Sequence, residues 1–396
     1  MTTNSAKPKI LIFSLVYYPR FIGGAEVAVK EITDRLGDEY DFDMITIRKG
    51  DLKYERIGKV SVYRVGFGWR SMNDSFFSRI KIDKYLFPFF AFFEAIKLNG
   101  QNNYDLTWSI MANYAGFGAL FFKLFNPKIP FLLTLQEGDP IPYIKRKVWF
   151  VYPLFKLIFK KANKIQAISK FLADFGRSMG HKEPIKIIPN GVDLDVFSQK
   201  FSDNTKIELR NIIGKNSGDI FLVTTSRLVY KNATDDIIKA LTYLPKNISL
   251  VVIGKGIEGS LLQRQANDLG MGERVKFLGF LPSEEIPKYF SICDIFVRPS
   301  RSEGFGNSFI EAMASSLPVV ATPVGGIVDF ISDKETGVFC SPDNPQSIAE
   351  AVKLIINDKD LREKIIYKAK FLVTENYSWD RIAMDMRDLV FDRLLK

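Results

Sequence analysis

The chain carries little that could bind a metal or form a disulfide. Its 396 residues include two cysteines, Cys293 and Cys340, and one histidine, His181. Two thiols make no disulfide framework and point to a reducing compartment. One imidazole and no Cys-x-x-Cys pair leave no His/Cys metal cluster to build. Long apolar runs are missing as well. The longest uncharged stretches, 106–122 and 312–328, span seventeen residues each and are broken by Asn, Gly, Ser or Pro. A membrane-crossing helix needs ~20 mostly apolar residues, so none is expected. The opening MTTNSAKPKILIFSL lacks a small-residue cleavage site and reads as the approach to a strand rather than a signal peptide. No internal repeat or low-complexity tract stands out.

What is present is the composition of a soluble globular protein, 46% apolar and 25% charged. The length exceeds one ordinary core and predicts two domains. The formal charge of +10 is uneven: residues 1–200 hold 30 Lys and Arg against 19 Asp and Glu, and residues 201–396 hold 25 against 26. The basic excess lies wholly in the first half, which suits an anionic surface, an anionic substrate or a nucleic acid.

The pattern along the chain is α/β. KILIFSL (9–15) is an apolar run of strand length, followed by the loop VYYPRFIGG and apolar residues Ala25, Ala28, Val29, Ile32 and Leu36 at helical spacing. FDMITI (42–47) completes a βαβ opening, which favours a parallel, doubly wound sheet. Further strands are predicted at 60–65, 105–110, 130–135, 164–168 and 185–188. The pattern restarts with a strand at 219–226, a helix at 233–244, strand 248–254, a helix near 260–269, and strands 274–279, 294–297 and 318–322. Polar, turn-rich residues 189–204 are placed as the linker, and 377–395 as an amphipathic helix. The expected division is a first Rossmann-like domain at 1–195, a second at 196–376, and a closing helix at 377–396. In doubly wound sheets ligands sit at the carboxyl ends of strands, so a cleft there is where chemistry is sought.

Three stretches carry candidate chemistry. RPSRSEGFGNSFIEAMASSLPVVATPVGG (298–326) holds Glu303 and Glu311 on either side of Gly304-Phe305-Gly306 and the start of a helix. Glycines admit close backbone approach, a helix start offers unpaired N–H groups to an anion, and two carboxylates can grip hydroxyls on two parts of one ligand. As plain structure it is a loop-to-helix turn with Glu311 solvated. TTSRLVYKNATDD (224–236) puts Arg227 and Lys231 just beyond a strand, where two cations could neutralise a diphosphate or simply face water. Gly23-Gly24 before the first helix suits phosphate or sugar approach, or is an ordinary turn.

In order, these segments resemble the family 4 glycosyltransferases. The resemblance rests on Gly23-Gly24-Ala25-Glu26, IIPNGVD (187–193), SRLVYKN (226–232), VIGKG (252–256), FLGFLPSEEI (277–286) and the paired-glutamate segment. It implies a GT-B fold, two Rossmann-like domains facing a cleft, and retaining, metal-independent transfer of a sugar from a nucleotide diphosphate, with no cofactor. It implies that Arg227 and Lys231 bind and stabilise the leaving diphosphate, that Glu303 contacts donor-sugar hydroxyls, and that Glu311 holds the ribose. Gly304, Phe305, Gly306, Asn307 and Ser308 would line phosphate and sugar, and Gly23 and Gly24 would let the first domain approach the donor. A UDP- or GDP-sugar donor and a glycan or lipid-linked acceptor in surface polysaccharide or glycolipid synthesis are expected. Where many members carry a histidine after the strand near residue 135, this sequence reads TLQEGDP (134–140), with Gln136 in that place. Gln136 could bond a sugar hydroxyl, and Glu137 and Asp139 are acceptor-side candidates. His181 is expected in an exposed loop.

Other readings are weaker. Gly254, Gly256 and Gly259 spell G-x-G-x-x-G after a strand, the mark of a dinucleotide-binding oxidoreductase. They follow the second strand of their domain, however, and the expected acidic residue about 20 positions on is absent. Asp41-Phe42-Asp43 and Asp193-Leu194-Asp195 are D-x-D triplets, read as structural. A sugar-nucleotide epimerase on a similar fold is the enzymatic rival. A basic nucleic-acid binder is the rival from another class, motivated by a pI near 9.2, but no nucleic-acid motif supports it, and no nucleic-acid partner is expected. Residues 143–164 carry seven Lys and Arg, six aromatics and no acid, and 76–97 add eight aromatics. Such a face either docks on an anionic membrane or packs its rings into the core. The expectation is a cytoplasmic protein held peripherally at the inner face of the cell membrane.

Overall fold

The computed structural model describes residues 7–19, 21–68 and 76–396, with the side chains of 76–81 left out. It divides into two units, Met1–Asn190 with Trp379–Lys396, and Gly191–Ser378. The first crossing lies at 190/191 rather than 195/196. Val192 explains this: its N–H donates to the Tyr377 carbonyl at 2.7 Å, and it pairs with Ser378. Residues past 191 therefore belong to the second unit. The expected linker is partly helical there. Asp193 caps Leu194–Phe197, and Phe197 is buried against Phe290.

The first unit is built, among the described residues, on an eight-stranded sheet in the order β3-β4-β2-β1-β5-β6-β7-β8. The strands are β1 (Lys9–Phe13), β2 (Asp41–Ile47), β3 (Tyr54–Ile57), β4 (Val60–Val65), β5 (Leu106–Ile110), β6 (Phe131–Leu135), β7 (Lys164–Ala167) and β8 (Lys186–Ile187). All pairings are parallel except β3 with β4. The strand β3 has no apolar run to reveal it. The central strands β5 and β6 are buried along their whole length, as a sheet covered on both faces requires.

The closing helix packs on this unit. Trp379, Ile382, Ala383, Met386, Val390 and Phe391 share a core with the helix Gly24–Leu36 and with β1, β2 and β5. The Phe391 ring meets Trp108 at 5.2 Å and Tyr40 at 5.5 Å. At the edge of that core, Arg35 donates to Asp380 at 2.6 Å and Tyr40 to Asp392 at 2.5 Å.

The second unit holds, among the described residues, a six-stranded parallel sheet in the order β11-β10-β9-β12-β13-β14. Its strands are β9 (Ile220–Thr225), β10 (Ile248–Ile253), β11 (Val275–Gly279), β12 (Ile295–Arg298), β13 (Val319–Ala321) and β14 (Val338–Phe339). The order reverses between β9 and β12, which makes that junction the topological switch point. In the first unit the switch lies between β1 and β5.

His181 departs from expectation. It is buried, and its Nδ1 lies 3.0 Å from the Phe159 carbonyl oxygen. The aromatic stretches divide between interior and surface. Phe87, Phe155 and Phe159 are core residues, whereas Tyr85, Phe89, Phe93, Tyr143, Trp149 and Phe150 are exposed. The side chains of Phe76 and Phe77 lie outside the described residues. Cys293 and Cys340 are buried and free. Among the described residues no helix is long and apolar enough to cross a membrane.

Replacing Phe391 with alanine removes the ring at the centre of this docking core. We expect a loss of about 3–5 kcal/mol in the stability of the first unit, measured by urea denaturation. A loss below about 1 kcal/mol would mean that the closing helix contributes little to that core.

Candidate active site

In the second unit the residues singled out from sequence lie on two turns that flank the switch point. The turn 226–233 follows β9, and the loop 299–306 follows β12.

The first turn is held by the glycines of the G-x-G-x-x-G stretch. Gly254 has φ +138°, and a side chain there would put its first carbon 1.9 Å from the Ser226 carbonyl oxygen; at Gly256 the clash would be 2.1 Å from that of Leu228. The close approach allows Ser226 N–H to reach Ile253 at 3.0 Å and Leu228 N–H to reach Lys255 at 3.1 Å. The glycines thus serve backbone packing against the turn that carries Arg227. Asn232 closes the turn, donating from Nδ2 to the Arg227 carbonyl at 2.6 Å. Arg227 is exposed and Lys231 half-buried.

The loop after β12 is fixed from the other side. Gly326 N–H donates to the Glu303 carbonyl at 3.1 Å. Gly325, at φ +57°, has no room for a side chain, whose first carbon would lie 1.8 Å from that same oxygen. Gly306, at φ +97°, begins the helix Asn307–Ala314.

Two arginines that sequence reasoning did not single out join the turns. Arg298, the buried last residue of β12, donates to Ser308 Oγ at 2.7 Å, to Asn232 Oδ1 at 3.1 Å and to Glu303 Oε2. Arg301 donates its N–H to the Lys231 carbonyl at 2.7 Å. Its guanidinium bonds Asp235 at 2.8 Å, Asp236 at 2.5 Å and Asp343 at 2.5 Å, and lies 4.2 Å from the centre of the Tyr230 ring. The signal was available: arginine at a buried strand end is rare unless paired.

The structure thus joins the turn carrying Arg227 and Lys231 to the loop carrying Glu303, with Ser308 bonded to Arg298 and Glu311 facing that arginine from the helix that begins at Asn307. Gly304 N–H bonds Glu303 Oε1 at 3.1 Å. Phe305 is different. Its ring is buried against Phe330 and Tyr377, so only its backbone is left to line a ligand. Burial pushes the Glu311 carboxyl up to about 7, against the pull of Arg298. Ser226 Oγ, Thr234 Oγ1, Ser300 Oγ and Arg298 Nε are buried without a hydrogen-bond partner.

In the first unit the candidates follow β1 and β6, with Glu137 reaching the turn after β5, along the carboxyl edge beside that sheet's switch point. Gly23 N–H donates to Glu26 Oε2 at 2.9 Å, and Gly24 starts the helix. Gln136 Oε1 accepts from Asn190 at 3.4 Å. Glu137 Oε1 accepts from Ala112 N–H at 2.7 Å, while its Oε2 is buried and unpartnered. Burial pushes this carboxyl up to about 7, against the lowering effect of the Ala112, Glu137 and Gln136 N–H groups. Asp139 lies just beyond it on the same loop. The D-x-D triplets are structural: Asp43 accepts from Tyr104 at 2.5 Å, and Asp193 caps a helix through Val196 N–H at 3.0 Å. Among the described residues no group of three His, Cys, Asp or Glu side chains could hold a metal.

Comparison with known proteins bears on the family and the fold. Residues 22–196 match the family model described as Glycosyltransferase Family 4, and residues 205–371 match Glycosyl transferases group 1. An uncharacterized glycosyltransferase of Methanocaldococcus jannaschii is 28% identical over 386 residues, covering 95% of this chain and 96% of that protein. The N,N'-diacetylbacillosaminyl-diphospho-undecaprenol alpha-1,3-N-acetylgalactosaminyltransferase of Campylobacter jejuni is 27% identical over 316 residues, 77% of this chain and 81% of its own. Anabaena HepE, crystallised with UDP and glucose, shares the fold with a TM-score of 0.77 at 20% identity, over 97% of this chain and 100% of its own.

The raised Glu311 carboxyl has a consequence for pH. A carboxyl that holds its proton more tightly when folded stabilises the protein below its ordinary pKa and loses that contribution as pH rises through about 7. Glu311→Gln should therefore gain in Tm relative to the parent between about pH 5 and about pH 8. An unchanged difference between the two proteins would refute the assignment.

Proposed function

The chain belongs to the family 4 glycosyltransferases, and we propose that it moves a sugar from a nucleotide diphosphate to a glycan or lipid-linked acceptor, with retention at the anomeric carbon. Its two parallel-sheet units are those of the GT-B fold. The observation that carries this reading is the junction of the Arg227–Lys231 turn with the Glu303 loop at the switch point of the second sheet. A departing diphosphate gathers negative charge. Arg227 offers a planar fork and Lys231 a point charge, on a turn whose backbone is held by Asn232 and Arg301, and preorganised groups act where charge develops. In this reading those side chains, rather than a metal ion or cofactor, take up the charge. Glu303 accepts donor-sugar hydroxyls and Glu311 the ribose hydroxyls. Gly304, Gly306, Asn307, Ser308 and the Phe305 backbone line the phosphate and sugar.

Gly23 and Gly24 admit the donor on the first unit, and Gln136, Glu137 and Asp139 serve the acceptor. The glucose and UDP seen with HepE support a UDP-sugar, with a GDP-sugar the alternative. The Campylobacter relative's name describes a lipid diphosphate acceptor, which supports a place in glycolipid or surface polysaccharide synthesis.

A basic and aromatic surface of the first unit supports peripheral attachment to the cytoplasmic face of a membrane. Trp149 and Phe150 are 75% and 63% exposed, next to Lys145, Arg146 and Lys147. The 76–97 stretch borders the same surface: burial, then the neighbouring Lys147, lowers the Lys84 ammonium. Rings beside cations suit an anionic interface.

Turnover across a panel of UDP-, GDP- and ADP-sugars should find one donor, with product of unchanged anomeric configuration. Lys231→Ala should lower kcat by roughly 10²–10³, as loss of one oxyanion donor does. Near-normal turnover in that variant overturns the diphosphate assignment. Vesicles containing anionic lipid should retain the protein in sedimentation, and Trp149→Ala combined with Phe150→Ala should release most of it. Equal binding by the double variant removes this surface from the account.

A further inference from the structure

We infer that Arg298 is a positioning residue for the transfer reaction, aiming Glu303 while locking it to the turn that carries Arg227 and Lys231. The inference rests on the reading of Glu303 as the donor-sugar contact and adds to it a residue that neither motif nor resemblance assigns.

The geometry is specific. Arg298 lies at the end of β12, buried to 9% exposure, and Glu303 is buried to 8%. One guanidinium nitrogen serves Ser308 Oγ at 2.7 Å, and another serves both Asn232 Oδ1 at 3.1 Å and Glu303 Oε2. Asn232 in turn grips the Arg227 carbonyl at 2.6 Å. A single fork thus spans the sugar-binding carboxylate, the first turn of the helix Asn307–Ala314, and the diphosphate turn. Its Nε is left unpartnered.

The division of Glu303's oxygens follows from this. Oε2 is taken by Arg298. Oε1 accepts Gly304 N–H at 3.1 Å and keeps a lone pair for a sugar hydroxyl. Without the bond from Arg298 to Oε2, the carboxylate is free to turn about its side-chain torsions, and Oε1 would no longer be held in one place as an acceptor. Lysine would supply the charge without the fork, because an ammonium is a compact point donor that cannot hold three partners in one plane.

Charged groups on the surrounding elements are few. Glu311 faces Arg298 from the helix Asn307–Ala314, and its carboxyl is raised by burial and lowered by Arg298. Asp329 lies on the turn Gly325–Asp329, whose Gly326 binds the Glu303 carbonyl. Arg227 and Lys231 lie on the turn after β9. Arg301 is spent on Asp235, Asp236 and Asp343. Arg298 is in direct contact with Glu303 through Oε2.

The test uses the full chain with its active donor and compares Glu303→Gln, Arg298→Met and Arg298→Lys. Folding is checked by near-ultraviolet circular dichroism. Arg298→Met should lower kcat by roughly 10², with a smaller rise in KM for the donor. Arg298→Lys, the milder change, should recover part of that loss yet stay about tenfold below the parent in kcat. A loss carried by KM, with kcat unchanged, in Arg298→Met overturns the proposal, as does wild-type kcat in Arg298→Lys. If Arg298→Met does not fold, the lysine variant decides. Full activity in Glu303→Gln instead defeats the role of Glu303 itself, whatever the arginine variants show.

Discussion

The second unit depends on buried charge that ties two loops into one body. Arg298, at the end of β12, reaches Asn232 on the turn after β9, and Arg301, on the loop that follows β12, reaches the Lys231 carbonyl on that turn and Asp235 just beyond it. The turn after β9 has only the short 3-10 helix Tyr230–Asn232, and the loop 299–306 has no regular structure of its own. The strands place their starting points, but hydrogen bonds to these arginines set where Lys231 and Glu303 stand. Removing one partner from a buried pair leaves an uncompensated charge in a poor solvent for it, so the arrangement is of high consequence for both stability and chemistry.

Glycine plays the complementary part. Gly254 and Gly256 let the loop after β10 lie against the Arg227 turn, and Gly325 lets its neighbour grip the Glu303 carbonyl. In each case the missing side chain is replaced by another segment's backbone. This accounts for a motif that spells dinucleotide binding in one context and packs a glycosyltransferase turn in another. The D-x-D triplets teach the same lesson: Asp43 answers Tyr104, and Asp193 caps a helix.

Much of the architecture was legible because buried parallel strands are continuous apolar runs. KILIF, LTWSI, FLLTL and ISLVVI each sit within a residue or two of their expected place. Elements without such a pattern were not seen. The strand β3 alternates half-exposed polar residues, the helix Phe76–Asn102 is aromatic around much of its circumference, and β14 has two residues. For the candidate site, residue types at motif positions singled out Arg227, Lys231, Glu303 and Glu311. Sequence could not show that the Phe305 ring turns inward, since a glycine on each side permits either direction. His181 was expected to be exposed because its partner, the Phe159 carbonyl, lies 22 positions away. Arg298 was hidden by its place in a strand, where its three partners come from different segments.

The return of the last helix to the first unit makes that unit discontinuous in the chain. Ile32, Leu36, Phe42 and Trp108 are covered by Ile382, Met386 and Phe391, which a ribosome adds only after the entire second unit. Domains in general fold as they emerge, the leading one first. Here the order is partly inverted: the later unit has its whole sheet in hand before the earlier one can seal its apolar face. During synthesis that uncovered face is the segment most in need of a chaperone.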